Sequence, residues 1–331
     1  MIKDTFMDAE GGFPSLLSLT EHLRPYRGAR ALVVSTAGTT GRALGNNGDD
    51  LMHAVFYRIL EQMSIAVVDS DPDVVIVPPS GALLEVYSFP KRLSERLRGF
   101  EDVPVVIFPS SAYFPTEDPS LLFTDRTADT LLLLREHPSY EHLRKLWGDS
   151  LRRAGVRLEV DHDVVASGHE FVPDILRSST GRSVPTLIAA RIDREASSLN
   201  QGAAGGNGAS SLLHRLADRV PYGPAYTRAS RMVRRRRNRE AALKLAAQAG
   251  SPARNALSVD ISARQFATFD QYCSTIVRSE TVITNRLHVA LPAAIMGKSV
   301  VMVEAGYYKL GGVYRRSLEG VPNVRFIDGK R

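Results

Sequence analysis

Cysteine is almost absent from this sequence, which has only Cys273 among its 331 residues, and long apolar runs are missing altogether. A single cysteine excludes an intramolecular disulfide framework and a thiolate metal cluster. No apolar stretch approaches the ~20 residues that a membrane-spanning helix needs. The first residues, MIKDTFMDAEGGF, place acids and glycines where a signal peptide has its apolar core. We therefore expect a cytoplasmic protein.

Acidic residues are missing from one stretch, and that stretch accounts for the net charge of +6. Residues 228–239, RASRMVRRRRNR, contain seven arginines and no acid, and without them basic and acidic residues nearly balance. The arginines have no interleaved aromatic residues and belong to no helix-turn-helix, RRM or zinc-finger pattern, so we expect no nucleic acid partner. Because clustered arginines gain ~1 kcal/mol each near an anionic leaflet, the run permits peripheral contact with the inner face of the cytoplasmic membrane.

Short apolar, β-rich runs alternate with helical stretches along the chain. In the first half the runs lie at 31–38, 73–81, 103–111, 130–134 and 156–161. The alternation restarts near residue 170, with runs at 186–193, 256–261, 281–285 and 299–306. This pattern predicts an α/β fold with parallel sheets covered by helices. We expect two Rossmann-like lobes that face a cleft, divided as 1–170 and 171–331, with a flexible Gly/Ala/Ser/Asn-rich insertion at 196–211.

The segment TVITNRLHVALPAAIMGK puts Arg286 and His288 where an apolar strand turns into a helix. Ligands of open α/β sheets bind beyond the carboxyl ends of the strands, and the N–H groups of a helix start favour phosphate or carboxylate. An arginine and a histidine there supply a permanent cation and a proton carrier. The alternative is structural: Arg286 caps the helix or pairs at the surface, while His288 packs in the core.

The loop GRALGNNGDD follows the first strand and opens a helix. Its glycines would let the backbone approach a ligand, but it matches neither GxGxxG nor a phosphate-binding loop ending in GK[ST]. Asn46 and Asp49 lie at the helix start, where capping is the simpler interpretation. Binding of a sugar hydroxyl is the functional one.

Other polar residues follow predicted strands or join the two halves. Arg135 comes directly after a strand with Glu136 beside it, which a surface ion pair would explain. DHDVVASGHE, at 161–170, gathers acids and histidines but lacks an HExxH-like spacing, so a solvated loop between domains is favoured over a metal site. Arg191 and the pair Tyr308–Lys309 also follow strands, at the ligand-facing end of a sheet.

Several of these segments together resemble the polysaccharide pyruvyl transferase family. TNRLHVALPAAIMGKSVVMVEAGYYKLGGVYRRSL resembles its C-terminal signature, in which an Arg-Leu-His triplet opens a helix and a Tyr-Lys pair follows the next strand. GNNGDDLM looks like its Gly-Asn-x-Gly-Asp element, LLREHPSYEHL like its Arg-Glu-x-x-Ser segment, and RIDRE like its Arg-x-Asp-x-Glu. The matches follow the family's order from Gly45 to Ser317, and residues 196–240 match nothing in it.

The resemblance implies a two-lobed fold similar to that of GT-B glycosyltransferases. It implies transfer of pyruvate from phosphoenolpyruvate to a sugar of an exopolysaccharide or cell-surface polysaccharide precursor, with formation of a ketal and release of phosphate. Phosphoenolpyruvate is a co-substrate, no cofactor or metal is expected, and a lipid-linked oligosaccharide would suit as acceptor. The N-terminal half would bind the acceptor and the C-terminal half the donor. The implied site residues are catalytic His288 and Arg286, donor-binding Arg191, Lys309 and Tyr308, and acceptor-binding Asn46, Asp49 and Arg135.

Two other functions stay open. A GT-B glycosyltransferase that uses a nucleotide sugar would have the same fold, and release of nucleoside diphosphate instead of phosphate would distinguish it. A nucleic-acid-binding protein that uses the arginine run would bind with a steep salt dependence. This second alternative leaves the RLH and YYK segments unexplained.

Overall fold

The structure is a computed structural model that describes residues 12–34, 46–87, 89–177, 181–191, 224–251, 255–304 and 308–328. The flexible insertion predicted at 196–211 lies outside these residues, as does the part of the RIDRE segment after Arg191. No helix in this described part of the chain is long and apolar enough to cross a membrane.

The first lobe contains a parallel six-stranded sheet and a parallel strand pair. The sheet consists of β1 (Arg30–Val33), β2 (Ala66–Val67), β3 (Val74–Val77), β5 (Val105–Ser110), β7 (Thr130–Leu134) and β8 (Val156–Val160), and the pair of β4 (Leu83–Leu84) and β6 (Ala112–Tyr113). The strand order in the sheet is β2-β1-β3-β5-β7-β8. The helices are α1 (Leu17–Leu23), α2 (Asn47–Gln62), α3 (Phe89–Leu97) and α4 (His137–Arg153), with 3-10 turns at Arg24–Tyr26 and Pro119–Phe123.

The second lobe contains a parallel five-stranded sheet. Its strands are β9 (Val184–Ala189), β10 (Leu257–Ser258), β11 (Ser279–Thr284), β12 (Ser299–Val303) and β13 (Val324–Ile327), and their order is β10-β9-β11-β12-β13. Between the lobes lie α5 (Val164–Ser167), a 3-10 turn (His169–Phe171) and α6 (Val172–Leu176). The remaining described helices are α7 (Pro224–Gln248), α8 (Phe269–Arg278), α9 (Leu287–Ile295) and α10 (Tyr308–Ser317).

Local sequence explains where several elements begin and end. β3 and β5 are runs buried on both faces, as expected for parallel strands covered by helices. α2 begins at a capping box formed by Asn46 and Asp49, and α8 at one formed by Thr268 and Gln271. α9 ends before Gly297, whose positive φ of 71° is the left-handed conformation that commonly terminates a helix.

The largest apolar core runs through both lobes. Leu51 and Val55 of α2 belong to the same buried cluster as Val289 of α9 and Val282 of β11. α5 packs against both α2 and α9, so the boundary between the lobes is itself packed. The prediction of an α/β fold with two Rossmann-like lobes is confirmed, and the arrangement is compatible with a GT-B-like architecture.

The basic segment 228–239 lies within α7. The C-terminal part of this helix packs Ala242 and Leu245 against the outer face of the second sheet. Arg236, Arg237 and Arg239 are exposed, so this part of the helix has one apolar side and one cationic side.

Candidate active site

Residues from the two lobes meet at a buried pair formed by Asp163 and His288. Asp163 follows β8 and starts α5, where its Oδ1 accepts a hydrogen bond from the N–H of Val165 at 3.0 Å. His288 lies in the first turn of α9, and its Nε2 is 3.3 Å from Asp163 Oδ2. The Asp163 side chain is fully buried, whereas the His288 side chain keeps 11% exposure. The pair therefore reaches from the interior to the edge of solvent.

Arg135 binds the same carboxylate oxygen as His288. It follows β7, and its Nη1 donates to Asp163 Oδ2 at 2.9 Å while its Nε donates to the Ser111 hydroxyl at 2.9 Å. Nη1 also contacts the sulfur of Met52 on α2 at 3.8 Å. The Asp163 carboxylate is thus shared by a permanent cation and an imidazole.

Glu136 extends this cluster on the other side of Arg135. Its Oε2 accepts a hydrogen bond from the Ser111 hydroxyl at 3.0 Å, and its Oε1 accepts one from Ser139 in the first turn of α4. The Nε of Arg135 lies 3.6 Å from Oε2. Glu136 is fully buried, so its charge is compensated by protein groups and not by water.

The first turn of α10 brings the second lobe onto the same cluster. Lys309 Nζ donates to the carbonyl of Gly81 at 2.6 Å, and the Tyr308 hydroxyl donates to the carbonyl of Ala112 at 3.4 Å. The positive charge of Lys309 acts on Glu136. Lys309 and Tyr308, both predicted to bind the donor, therefore also link the lobes.

Burial and charge move the pKa values of the two carboxyl groups in opposite directions. Burial raises the pKa of Glu136 to about 6, and Arg135 offsets this only in part. Burial also acts to raise the pKa of Asp163, but His288 and Arg135 outweigh it and lower that pKa to about 2. Strongly perturbed carboxyl groups are enriched at functional sites.

The ionisation of Asp163 indicates which ring nitrogen of His288 carries a hydrogen. At neutral pH Asp163 is ionised and can only accept hydrogen bonds, so the Nε2 atom that faces it carries a hydrogen. The other ring nitrogen, Nδ1, has no hydrogen-bond partner among the described residues. Nδ1 is therefore the atom through which His288 can exchange a proton with a ligand.

Arg286 binds a different carboxylate. Its Nε lies 3.1 Å from Asp260 Oδ1 and its Nη2 donates to Asp260 Oδ2, so the pair has two arms. Arg286 is 7% exposed and Asp260 is fully buried, so pairing at the surface is the wrong interpretation. The neighbouring Asn285 accepts a hydrogen bond from the backbone N–H of Arg191 at 2.6 Å. Donor binding by Arg286 and Arg191 stays a prediction.

Asn46 and Asp49 cap α2. The Asn46 side chain accepts from the N–H groups of Gly48 and Asp49, and Asp49 Oδ2 accepts from the backbone N–H of Asn46 at 2.9 Å. The capping interpretation is confirmed, and acceptor binding by these side chains stays a prediction. Asn47 adds a link between the lobes, because its Nδ2 donates to the carbonyls of Ile261 and Ala267.

Two further interpretations based on local sequence are wrong. The beginning of segment 161–170 is not a solvated loop, because Asp161, His162 and Asp163 pack between the lobes with 5% exposure or less. Arg135 does not form a surface ion pair, because its partners lie in the same interior. Across the residues that the structure describes, no group of three or more His, Cys, Asp and Glu is arranged to hold a metal ion.

The predicted site lacks Glu136, Ser139, Ser111 and Asp163. The sequence does carry a signal for the first two, since they are the Glu and Ser of the Arg-Glu-x-x-Ser segment, and residues three apart at a helix start face each other. Ser111 and Asp163 have no such signal, because they reach Arg135 only when β5, β7 and β8 align in the sheet.

Comparison with known proteins bears on the fold. No protein-family model matches this chain, and no curated protein matches it. The chain is similar to a solved protein of Klebsiella pneumoniae subsp. pneumoniae that is described as functionally uncharacterized, with 17% sequence identity and a TM-score of 0.54. The match covers 94% of this chain and 97% of the other. This likeness shows the fold alone.

Proposed function

We propose that this protein transfers pyruvate from phosphoenolpyruvate to a sugar of an exopolysaccharide or cell-surface polysaccharide precursor. One observation carries the proposal: segments that resemble the pyruvyl transferase family, although far apart in sequence, converge on one buried polar cluster. Met52 and Arg135 come from two matched segments and His288 and Lys309 from a third, and each contacts this cluster or acts on its charge. A shared site requires such a convergence, and this supports the proposal.

The donor needs cations, because phosphoenolpyruvate carries a phosphate and a carboxylate. Charge-assisted hydrogen bonds from arginine or lysine suit both groups. Arg191 and Lys309 are the first cations that we assign to the donor, and each follows a strand of the second sheet. Arg286 already neutralises the buried Asp260, so we assign it second and expect it mainly to hold the helix start in place.

His288 is the proton carrier in this proposal. A proton is added to C3 of the enol, which leaves C2 electron-poor, and one sugar hydroxyl attacks C2. The C2–O bond to phosphate breaks, phosphate leaves, and a second hydroxyl closes the ketal. The two hydroxyls lose two protons in total, one replacing the proton given to C3 and one leaving with phosphate. Asp163 orients the ring through Nε2–H, so Nδ1 takes the proton from the attacking sugar hydroxyl and passes it to C3.

A nucleotide-sugar glycosyltransferase is the second candidate, because a two-lobed α/β fold serves that reaction equally well. The two candidates release different products. A pyruvyl transferase consumes phosphoenolpyruvate and releases phosphate, whereas the glycosyltransferase releases a nucleoside diphosphate.

The decisive experiment is a phosphate-release assay with phosphoenolpyruvate against a panel of lipid-linked oligosaccharides. We expect His288→Gln to lower turnover by ~10²–10⁴-fold while its melting temperature stays close to that of the wild type. His142→Gln is a control, because His142 is a half-buried histidine whose ring accepts a hydrogen bond from the N–H of Phe114 and stacks on Tyr113. The proposal would be overturned if the wild type released no phosphate with any acceptor. It would also be overturned if His288→Gln kept full turnover.

A lipid-linked acceptor places this activity at a membrane surface. We propose that the protein is cytoplasmic and that the cationic side of α7 contacts the anionic inner face of the cytoplasmic membrane. Exposed Arg236, Arg237 and Arg239 supply the charge.

A further inference from the structure

We propose that Ser111 is a positioning residue that holds Nε of Arg135 and so keeps Nη1 on Asp163 instead of on Glu136, with the result that His288 keeps its hydrogen on Nε2. The inference rests on the proposed function only in treating His288 as the proton carrier. Ser111 touches neither His288 nor solvent, since it is fully buried and bonded to Arg135 and Glu136.

Two buried carboxylates compete for one guanidinium. Arg135 Nη1 is 2.9 Å from Asp163 Oδ2, while Arg135 Nε is 3.6 Å from Glu136 Oε2. Both carboxylates are fully buried, where the attraction between opposite charges is stronger than in water. Without a barrier, this attraction would favour a two-armed ion pair between Arg135 and its neighbour Glu136.

The Ser111 hydroxyl is that barrier. A guanidinium can only donate, so the Ser111 oxygen accepts from Arg135 Nε and its own hydrogen points to Glu136 Oε2. The hydroxyl therefore takes the Nε hydrogen bond that would otherwise go to Glu136, and satisfies Glu136 itself. Ser139 donates a hydrogen bond to the second oxygen of Glu136. Both oxygens of this carboxylate therefore have donors other than the guanidinium.

The consequence reaches His288 through Asp163. Val165 holds one oxygen of the Asp163 carboxylate, and Arg135 and His288 share the other. With Arg135 in place, the guanidinium compensates the negative charge of Asp163. His288 then donates only its Nε2 hydrogen to the carboxylate. If Arg135 moves to Glu136, the full charge of Asp163 falls on His288 and favours a doubly protonated ring, which cannot accept a proton at Nδ1.

Two glycines pack against this arrangement, and one of them, Gly312, belongs to a matched segment. A Cβ atom at position 81 would lie 3.2 Å from Arg135 Nη2, and one at position 312 would lie 3.0 Å from Cβ and Cγ of Glu136. The backbone therefore packs directly on both Arg135 and Glu136.

The test is ¹⁵N NMR of histidine-labelled full-length protein at pH 7.5, without donor, with the His288 signals assigned through His288→Gln. We expect the wild type to show a hydrogen on Nε2 alone and Ser111→Ala to show a larger fraction of doubly protonated ring. The double variant Ser111→Ala/Glu136→Gln should return to the wild-type pattern, because the competing charge is gone. A purely structural role for Ser111 predicts no such rescue.

Ser110→Ala is the matched control, since Ser110 is also buried but bonds Phe108 and Ser80, outside this cluster. We expect it to keep the wild-type spectrum, and Ser111→Ala to lose ~10–100-fold in turnover, the loss found when the partner that orients a metal-binding histidine is removed. A folded Ser111→Ala with an unchanged His288 spectrum, or a double variant without rescue, would overturn the inference. Absence of phosphate release in the wild type would instead overturn the proposed function and leave the spectral test standing.

Discussion

Gly48 leaves the space that His288 occupies. A Cβ atom at position 48 would lie 2.7 Å from Cβ of His288 and 2.9 Å from Oδ1 of Asn46, which is closer than real side chains approach. The glycine of the GNNGDD loop thus admits a side chain from the other lobe. This contact ties the start of α2 to the start of α9, two segments that match the same family signature.

Replacing Gly48 with alanine should therefore displace His288. We expect Gly48→Ala to lower turnover by at least ~10-fold and the free energy of unfolding by about 1–3 kcal/mol, because the site is overpacked. Gly148→Ala is the control: Gly148 lies inside α4, its added Cβ would have no atom closer than 3.9 Å, and the change should stabilise the protein by about 0.5–1 kcal/mol. Kinetics and thermal melts of both variants check this, and equal behaviour would refute the role of the contact.

Asp163 should stabilise the protein in a pH-dependent way. Its pKa is lowered to about 2 in the folded state, so its contribution is present above the ordinary aspartate pKa and is lost as the pH falls toward 2. Asp163→Asn keeps the helix cap but removes the charge. We expect the stability advantage of the wild type over this variant to shrink by about 2 kcal/mol between pH 5 and pH 2. Urea titrations across this range measure it, and a constant difference would show that the charge is not responsible.

The contribution of Glu136 to stability should change with pH in the opposite direction. Burial raises its folded-state pKa to about 6, so its contribution is fully present below the ordinary glutamate pKa and is lost as the pH rises through 6. Relative to Glu136→Gln, the wild type should lose about 2 kcal/mol of stability between pH 4.5 and pH 7. Chemical denaturation of both proteins at closely spaced pH values tests this. A wild type that gained relative stability over that interval would contradict the assignment.

The main effect of Arg286→Ala should be a loss of folding stability. Removing one partner of a buried ion pair leaves the other uncompensated, which destabilises a protein by about 3–5 kcal/mol. The double change Arg286→Met/Asp260→Asn removes both charges and should restore most of the melting temperature. Binding of phosphoenolpyruvate, measured by calorimetry on the double variant, then reports the role of Arg286. Wild-type affinity in that variant would remove Arg286 from the donor site.

The cationic side of α7 should matter for membrane contact and not for chemistry. We expect Arg236→Gln/Arg237→Gln/Arg239→Gln to bind anionic vesicles more weakly, with unchanged turnover of a soluble acceptor, since these side chains are exposed. Arg96→Gln/Arg98→Gln/Arg153→Gln removes the same charge from other exposed positions and serves as the control. Equal vesicle binding by the two triple variants would mean that net charge, and not this helix, is responsible.

The amino-acid sequence by itself determined the elements and the chemical groups available at their ends. Apolar runs separated by helical stretches produce parallel sheets, because such strands must be covered on both faces. Asn46 caps α2 through neighbours three residues away, and such local hydrogen bonds can be read from residue order alone. His288 at a helix start and Arg135 after a strand were recognisable for the same reason.

Only the tertiary structure decided which partners these groups have. Asp163 reaches His288 across 125 positions of sequence and Arg135 across 28, and neither separation has a periodicity that would reveal it. The tertiary structure also decided which groups are buried. The charged start of segment 161–170 is predicted from sequence to be exposed, yet the two lobes pack over it and exclude water. The charge balance of the cluster follows from that burial, because a carboxylate without water must take its hydrogen bonds and its counter-charge from distant parts of the chain.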